Sequence, residues 1–472
     1  MSHFPMRSLA RSEKSGPAAV CAGLGVLALL FCGPAPAKAD LFDAESFTLE
    51  NGLEVVVLPK HLAPVVYQMV VYKVGAADGE PGKNGIAHFL EHLMFKATDK
   101  LKAGEFSQIV DRFGGSDNAF TSQDITAYHQ EIATTHLGEV MAMEADRMTH
   151  LRLTEDVVLP ERDVILNERS QNIDNNPGSR LAEAVNAALF RNHPYGKPVI
   201  GWRHEMETYS TADAQNFYAR WYAPNNAILV VAGDVTAANV RELAEKNFGP
   251  IPRKAVPPQQ RLSEPPPVAA RRLSLSSPET RYPSISRSYI APSYRSAALA
   301  PAAKDAAYAL TVLGEILDGG MVGRLHRRLV VEQGIAISAG AGYSGDARDY
   351  GRFFFYVAPR DANALVAVEK ALDTEIGTLL KDGITAAELD AAKQRLQIAS
   401  VKARDSLSGP AQLVANALGT GVTLDELQAW PERIEAVTVA QVMAAAREVL
   451  TPANSVTAIL TPEDAAPEGS AP

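Results

Sequence analysis

Thiols are almost missing from this 472-residue chain, whose two cysteines, Cys21 and Cys32, both fall within the first 39 residues. Everything beyond is free of cysteine, which excludes a disulfide scaffold. Positive charge is also in deficit. After residue 39 there are 41 Lys and Arg against 54 Asp and Glu, a formal net charge of −13, and that balance argues against nucleic acid as a partner. Long apolar runs are lacking too, with one exception from Ala18 to Phe31. It is short for a membrane-spanning helix, follows Arg7, Arg11 and Lys14, and precedes Pro34-Ala-Pro-Ala37-Lys-Ala39. This order of charge, apolar run and small residues predicts a secretory signal peptide over residues 1–39, cleaved before Asp40, the alternative being a retained membrane anchor. Phe31 is a poor neighbour for a lipid anchor on Cys32. With 46% hydrophobic and 21% charged residues, the remainder suits a globular protein with two or more cores.

Against this background one stretch carries chemistry: Gly85-Ile-Ala-His88-Phe-Leu-Glu91-His92-Leu-Met-Phe95. Residues four apart share a helix face, so His88 and His92 can aim two ring nitrogens at one point, with Glu91 on the adjoining edge. Two imidazoles are half of a zinc site, and a catalytic zinc takes three protein ligands and keeps a position open for water. Glu91 is then free to take a proton from that water. The order His-x-x-Glu-His reverses the commoner His-Glu-x-x-His. The alternative is a pair of helix histidines that merely pack or hydrogen-bond.

Along the chain, Phe47 to Leu58 reads as two strands around an Asn51-Gly52 turn, followed by a strand from Val65 to Val74. The histidine helix starts near Gly85, a short helix spans Phe106 to Phe113, and strands follow at Ser116–Thr121 and from Thr126 to His129. Leu137 to Leu151 is an amphipathic helix, and a long helix runs from about Pro160 into the 170s. On it, Glu161 and Glu168 lie two turns apart and face the same way, as metal-directed carboxylates or as an ordinary solvated stripe.

A helix opened by Ser210-Thr-Ala-Asp-Ala ends at Trp221-Tyr-Ala-Pro-Asn-Asn226 and leads into a buried strand, Ala227 to Ala232. A helix from Thr438 ends at Leu450-Thr-Pro-Ala-Asn454 and leads into a strand from Ser455 to Leu460. An offset of 228 aligns Ala212 with Ala440, Pro224 with Pro452 and Asn226 with Asn454, so one α/β unit is written twice. Seven prolines between Pro250 and Pro267 mark an extended linker. The expected organisation is a signal peptide (1–39), a metal-binding lobe (40–250), a linker (251–270), a second lobe without a metal site (271–462) and a disordered tail (463–472). His326 of the second copy has no partner at helical spacing and is read as a surface residue. His129, His136, His150, His193 and His204 are read as structural.

These segments resemble the pitrilysin family of zinc peptidases, which includes insulin-degrading enzyme and the mitochondrial processing peptidase. Besides the histidine motif, Gly115-x-x-Asn118-Ala119-x-Thr121, His193-Pro-Tyr-Gly196 and Trp221-Tyr-Ala-Pro-Asn-Asn226 resemble the family's segments. The resemblance covers nearly the whole chain beyond residue 39. It implies an α+β fold of two homologous lobes, each a mainly antiparallel sheet covered by helices, together forming half of a clam-like peptidase. It places a third zinc ligand about 76 residues beyond the second histidine, at Glu168. One zinc per chain is therefore implied on His88, His92 and Glu168, with Glu91 as general base and Glu161 supporting the site. Asn118, Ala119 and Phe120 correspond to an edge strand on which unfolded peptides add as an extra strand.

Family members of this length pair with a second two-lobed chain. Active relatives carry an arginine and, seven residues later, a tyrosine in the second lobe; aligned on Leu329 and Gly334, those positions hold Val330 and Ile337, neither a side-chain donor, the alternatives being a shifted local alignment or Arg327 or Arg328 in the arginine's place. The implied function is a zinc metalloendopeptidase subunit, active with a partner chain that supplies the missing pair. Its implied address is a Gram-negative periplasm, since a eukaryotic secreted protein of this size more often carries disulfides. The alternative is an inactive assembly or peptide-binding subunit of the same fold.

Overall fold

The chain divides into two units, Met1–Ala39 and Asp40–Pro472. The computed structural model describes residues 41–259, 261–295 and 303–463, all in the second unit. The expected signal peptide and nearly all of the expected disordered tail lie outside the described residues.

Two sheets organise the chain. The first is built from β1 (Glu45–Thr48), β2 (Glu54–Pro59), β3 (Val65–Tyr72), β4 (Ser116–Thr121), β5 (Thr126–Ala133) and β6 (Ala227–Gly233), in the order β1-β2-β6-β3-β5-β4. The second contains β7 (Arg271–Ser277), β8 (Ser284–Pro292), β9 (Ala336–Ser344), β10 (Tyr350–Pro359) and β11 (Ser455–Pro462), in the order β7-β11-β8-β10-β9. Only the β2–β6 and β7–β11 pairs are parallel. With β1 set aside, the two orders are the same topology, and the fold is the expected α+β duplication.

The first lobe carries helices α1 (Ile86–Leu93), α2 (Glu105–Arg112), α3 (Leu137–Thr149), α4 (Glu155–Arg169), α5 (Pro177–Leu189), α6 (Arg203–Met206), α7 (Thr211–Trp221) and α8 (Ala237–Asn247). The second carries α9 (Ala303–Leu317), α10 (Leu365–Asp382), α11 (Ala386–Ala403), α12 (Ser408–Thr420), α13 (Leu424–Gln428), α14 (Trp430–Ala436) and α15 (Val439–Val449). The 228-residue repeat extends to hydrogen bonds. Ser210 caps α7 by accepting from Asp213 N, and Thr438 caps α15 by accepting from Gln441 N. After each helix a proline turn ends in asparagine, whose Nδ2 donates back 2.9 Å to Trp221 O in one copy and 2.9 Å to Val449 O in the other.

Alternation along the strands gives the first sheet two apolar faces. Val55, Val57, Val70, Leu229 and Val231 join the core beneath the lobe's own helices. Val56, Leu58, Met69, Val71 and Val230 point the other way and are covered by Ala411, Val414, Ala415 and Leu418 of α12, from the second lobe. The exchange is reciprocal. Val185 and Leu189 of α5, from the first lobe, pack on Val456 and Ala458 of β11.

Three details depart from the sequence reading. Helix α4 starts at Glu155 and takes Pro160 into its interior, at the cost of one backbone hydrogen bond, to the Asp156 carbonyl. Past Arg169 it widens into a π-type turn, Ser170–Asp174. The inner face of α3 is not purely apolar, because Glu144 and Arg147 are buried there. They pair at 2.7 Å, Gln130 donates 2.7 Å to Glu144, and the Arg147 guanidinium lies 4.3 Å from the Phe106 ring centre and 4.5 Å from that of Tyr128. Residues 251–270 form no helix or strand among the described residues. Arg261 within them is nevertheless buried, reaching Asp78 at 3.0 Å, Asp124, and Asp349 of the second lobe at 3.2 Å.

Exchanged helices should make the lobes unfold together. Calorimetry of the chain is expected to show one transition, and Leu418→Ala to lower stability by roughly 2–5 kcal/mol without splitting it. Two separable transitions would contradict this reading.

Candidate metal centre

Helix α1 is placed by its first contact. Gly85, its N-cap, has φ 90°, and a side-chain carbon there would collide with the Ile200 carbonyl and lie 2.6 Å from Gly201 Cα. Glycine is needed for both reasons. Ala87, Phe89, Leu90 and Leu93 then sink into the core, which turns the remaining stripe, His88, Glu91 and His92, out toward α4.

There two elements distant in sequence converge. His88 Nε2 lies 3.6 Å and His92 Nε2 3.3 Å from the same atom, Glu168 Oε2. Among the described residues, His88, His92 and Glu168 form the one group of three His, Cys, Asp or Glu side chains whose ligand atoms all lie within 4.8 Å. Tetrahedral zinc with bonds of about 2.0–2.1 Å sets its donor atoms about 3.3 Å apart, and the two measured edges fit that figure. Glu168 Oε2 is buried and faces these two imidazole nitrogens with no other hydrogen-bond partner, the expected condition of an oxygen built to face a cation. Its other oxygen accepts from Asn172 Nδ2 at 3.3 Å. These three residues could hold one metal ion and leave a side open.

The surrounding charges are ordered. Glu161 Oε1 lies 3.0 Å from His92 Nδ1, and Lys96 Nζ lies 2.5 Å from Glu161 Oε2. Burial lowers the His92 pKa, but Glu161 and Glu168 outweigh it and carry the group up to about 9. Burial and the neighbouring His92 charge bring His88 down to about 4. Burial acts against ionisation of Glu161, yet His92 and Lys96 hold it below the usual carboxylate range. Glu91 is raised by burial, against a 2.5 Å hydrogen bond donated by Thr121 Oγ1. A carboxylate with a raised pKa is a better proton acceptor near neutrality.

The structure brings His88, Glu91, His92, Glu161 and Glu168 into one site. Asn118, Ala119 and Phe120 lie on β4, at the edge of the first sheet, one strand that also carries Thr121. The Ala119 N–H there is engaged by the Asn118 side chain at 2.8 Å. Sequence reasoning gave no role to Thr121, Lys96 or Asn172. Lys96 stands four residues after His92 and Asn172 four after Glu168, so helical spacing could have flagged both; Thr121 is marked only as part of the Gly115-x-x-Asn118-Ala119-x-Thr121 segment, which gives it no chemical role. The isolated histidines have other partners. His136 stacks on Phe113 at 3.7 Å, His129 stacks on Tyr67 at 5.2 Å, and His193 faces Asp349 at 3.2 Å. In the second lobe Val330 packs against the core and Ile337 is 53% exposed. Arg327 and Arg328, the nearest cations in sequence, are paired with Glu332 at 3.4 Å and Glu375 at 3.2 Å.

Comparison with known proteins gives this geometry a family. Residues 55–202, which contain the whole cluster, match the family described as Insulinase (Peptidase family M16), and residues 208–396 match the Peptidase M16 inactive domain. The zinc protease PqqE of Helicobacter pylori is 34% identical over 378 residues, covering 79% of this chain and 83% of that protein. The chain belongs to the M16 peptidase family. A crystal structure of a protease from Helicobacter pylori, 33% identical, superposes with a TM-score of 0.81 over 89% of this chain and 99% of that one. The periplasmic protease PqqL of Escherichia coli shares the fold, with a TM-score of 0.77 at 22% identity over 91% of this chain and 49% of that one. The M16 chain described here is thus of the two-lobed bacterial kind, the pitrilysin resemblance holds, and relatives named as zinc proteases make it an M16-type peptidase. No helix among its described residues is long and apolar enough to cross a membrane.

Because Gly85 sets the start of α1, Gly85→Ala should displace the histidine stripe. The expected result is a loss of at least about 1 kcal/mol, from the left-handed backbone alone, together with reduced metal uptake on metal analysis. Wild-type stability and metal content in that variant would show that α1 is positioned otherwise.

Proposed function

We propose that this chain is a zinc metalloendopeptidase subunit that hydrolyses unfolded peptides, with one zinc held by His88, His92 and Glu168. The observation that carries this reading is the meeting of two imidazole nitrogens and an otherwise unpartnered carboxylate oxygen beside a half-buried glutamate. A zinc ion there would supply Lewis acidity, making water acidic and polarising a peptide carbonyl. Glu91 takes the proton from the attacking water and returns it to the leaving amine. Thr121 holds one oxygen of that carboxylate, which leaves the other for proton transfer. Glu161 keeps the Nδ1 side of His92 engaged and so orients its Nε2, and Lys96 anchors Glu161 in turn.

Substrate adds to the edge of β4 at Asn118–Phe120 through backbone hydrogen bonds, a mode that is nearly blind to sequence. The Asn118 side chain must first release the Ala119 N–H. Two features of the chain, the apolar run with its Ala-x-Ala site and the fold shared with a periplasmic protease, support secretion to a periplasm.

Single substitutions separate the roles. His88→Ala is expected to bring zinc content from one per chain to none, whereas Glu91→Gln keeps the zinc and loses about 10²- to 10⁴-fold in turnover. Glu161→Gln should weaken zinc affinity by roughly 10- to 100-fold. Stoichiometric zinc in the alanine variant would refute the ligand set. Zinc retained by the wild-type chain with no cleavage under any condition would leave an inactive peptide-binding subunit.

The second lobe supports dependence on a partner. Val330 and Ile337 stand where active relatives carry arginine and tyrosine, and Arg327 and Arg328 are already paired with glutamates. A copy of this chain lacks the same groups, so the partner is a different two-lobed protein that carries them. Loss of one oxyanion donor typically costs about a hundredfold or more. Peptide cleavage by this chain alone should therefore rise by at least that factor when the partner is added. Full activity alone, unchanged by the partner, would overturn this part of the reading.

A further inference from the structure

Away from the metal centre, and sharing no residue with it, a cavity of about 330 Å³ lies in the second lobe and is closed on one side by Leu41 and Phe42. Aromatic rings dominate its wall: Tyr294 just after β8, Tyr308 on α9, Tyr343 on β9 and Trp430 at the start of α14. The polar tips of Tyr294, Tyr343 and Trp430 are satisfied by neighbouring groups. Tyr294 Oη meets Thr311 Oγ1 at 2.6 Å and accepts from Trp430 Nε1 at 3.2 Å, while Tyr343 Oη donates 2.5 Å to the Pro292 carbonyl. The rings are locked in place, with Tyr294 and Tyr308 5.1 Å apart in edge-to-face contact. Leu396 and Leu413 extend the apolar surface.

One side chain in this lining is out of keeping. Asp346 sits in the turn between β9 and β10, on the lip of the cavity, and its carboxylate makes no hydrogen bond or ion pair among the described residues. Its seat is fixed. The preceding Gly345 gives its carbonyl to Tyr294 N at 3.0 Å and to Ala347 N at 2.9 Å, and a side chain at that glycine would lie 2.6 Å from the Tyr343 ring. Although water reaches the residue through the mouth, the crowding walls raise the Asp346 pKa above the usual carboxylate value. The Asp346 side chain is exposed at the entrance of the aromatic cavity, so its carboxylate is open to a cationic group of an incoming ligand and lacks a counter-charge from the protein among the described residues.

The chemistry of the walls selects the occupant. An anion meets Asp346 and, on the same lining, Glu426. A neutral apolar molecule fills the cavity but gains nothing from the carboxylate at its mouth. A cation on an apolar body satisfies both, since ammonium groups are attracted to the faces of Trp and Tyr and gain further from an adjacent carboxylate. The volume is at the small end of the range for ligand cavities. We propose that this cavity is a binding site for an organic cation, an ammonium group carried on a compact aromatic or aliphatic body, with Asp346 as its counter-ion and Trp430 and the three tyrosines as its walls.

The test is calorimetric titration of the full chain with benzylamine, benzyltrimethylammonium and neutral benzyl alcohol, with zinc present and again with a chelator. Both cations are expected to bind saturably and about tenfold or more tighter than the alcohol, with or without metal. Asp346→Asn should remove that preference while leaving the alcohol's weak binding. Ala399→Trp, at a lining position on α11, should block all three ligands and serves as the second probe if the asparagine variant folds poorly. Equal affinity for benzylamine and benzyl alcohol, an Asp346→Asn variant that still prefers the amine, or no saturable binding of either cation would each overturn the proposal.

Discussion

Both sheets have two apolar faces, and the helices each lobe keeps for itself cover only one of them. The rest of the architecture follows from how the second face is hidden. Helix α5 leaves the first lobe to lie on β11, and α12 leaves the second to lie on β3 and β6. Because α4 runs into α5 through a single π-type turn, the helix that carries Glu161 and Glu168 is anchored at its far end to the other lobe. Arg169, next to Glu168, tightens this join with a two-pronged pair to Glu183 of α5, both contacts at 2.9 Å, and a 2.8 Å bond to the Gly201 carbonyl. Gly201 is the residue against which Gly85 starts α1. The two halves of the candidate metal centre are thus referred to one point of the backbone, and the second lobe helps to hold it.

Electrostatics in the first lobe are arranged on the same principle, in which each charge is fixed by something already fixed. Lys96 holds Glu161, Glu161 holds His92, and Thr121 holds Glu91. Behind them, Glu144 and Arg147 are fully buried among aromatic rings, where a charge pair persists only with every arm satisfied or stacked. Thr121 belongs to the same edge strand as Asn118–Phe120. A peptide added along that edge therefore lies beside the residue that orients the proposed base.

What the sequence made legible was local. His-x-x-Glu-His states its own geometry once the segment is helical, because a four-residue spacing fixes a shared face. The repeat could be read because cap, proline turn and asparagine recur at fixed offsets, and those residues form the same hydrogen bonds in both copies. Glu168 was legible only through likeness to a family, since its 76-residue separation from His92 carries no periodic signal. Helix exchange was illegible for the same reason: an apolar stripe does not say which sheet it will cover. Pro160 misplaced the start of α4 because proline usually opens a helix, whereas tertiary packing here bears the loss of one bond. Arg261, in a proline-rich stretch read as an extended linker, gave no hint that three carboxylates from both lobes would enclose it.

Duplication also bears on why one lobe has a cluster that could hold a metal ion and the other, among the described residues, has none. In the first lobe α1 crosses α4, and in the second α9 crosses α11 at the corresponding place in the topology. Both crossings bring polar groups together below the protein surface, and both must balance charge. Across α9 and α11, Glu315 meets Arg395, whose Nε lies 2.5 Å from the carboxylate and whose Nη2 reaches the Glu315 carbonyl at 3.0 Å. That crossing is complete, since the protein provides the cation itself. Across α1 and α4, two imidazole nitrogens and a carboxylate oxygen converge with no arginine among them, and Glu168 Oε2 has no partner besides the imidazoles. The same helix pair is closed by a side chain in one copy and left open to an added cation in the other. At the corresponding crossing of the second lobe, an arginine side chain supplies the cation that the candidate centre of the first would take from outside.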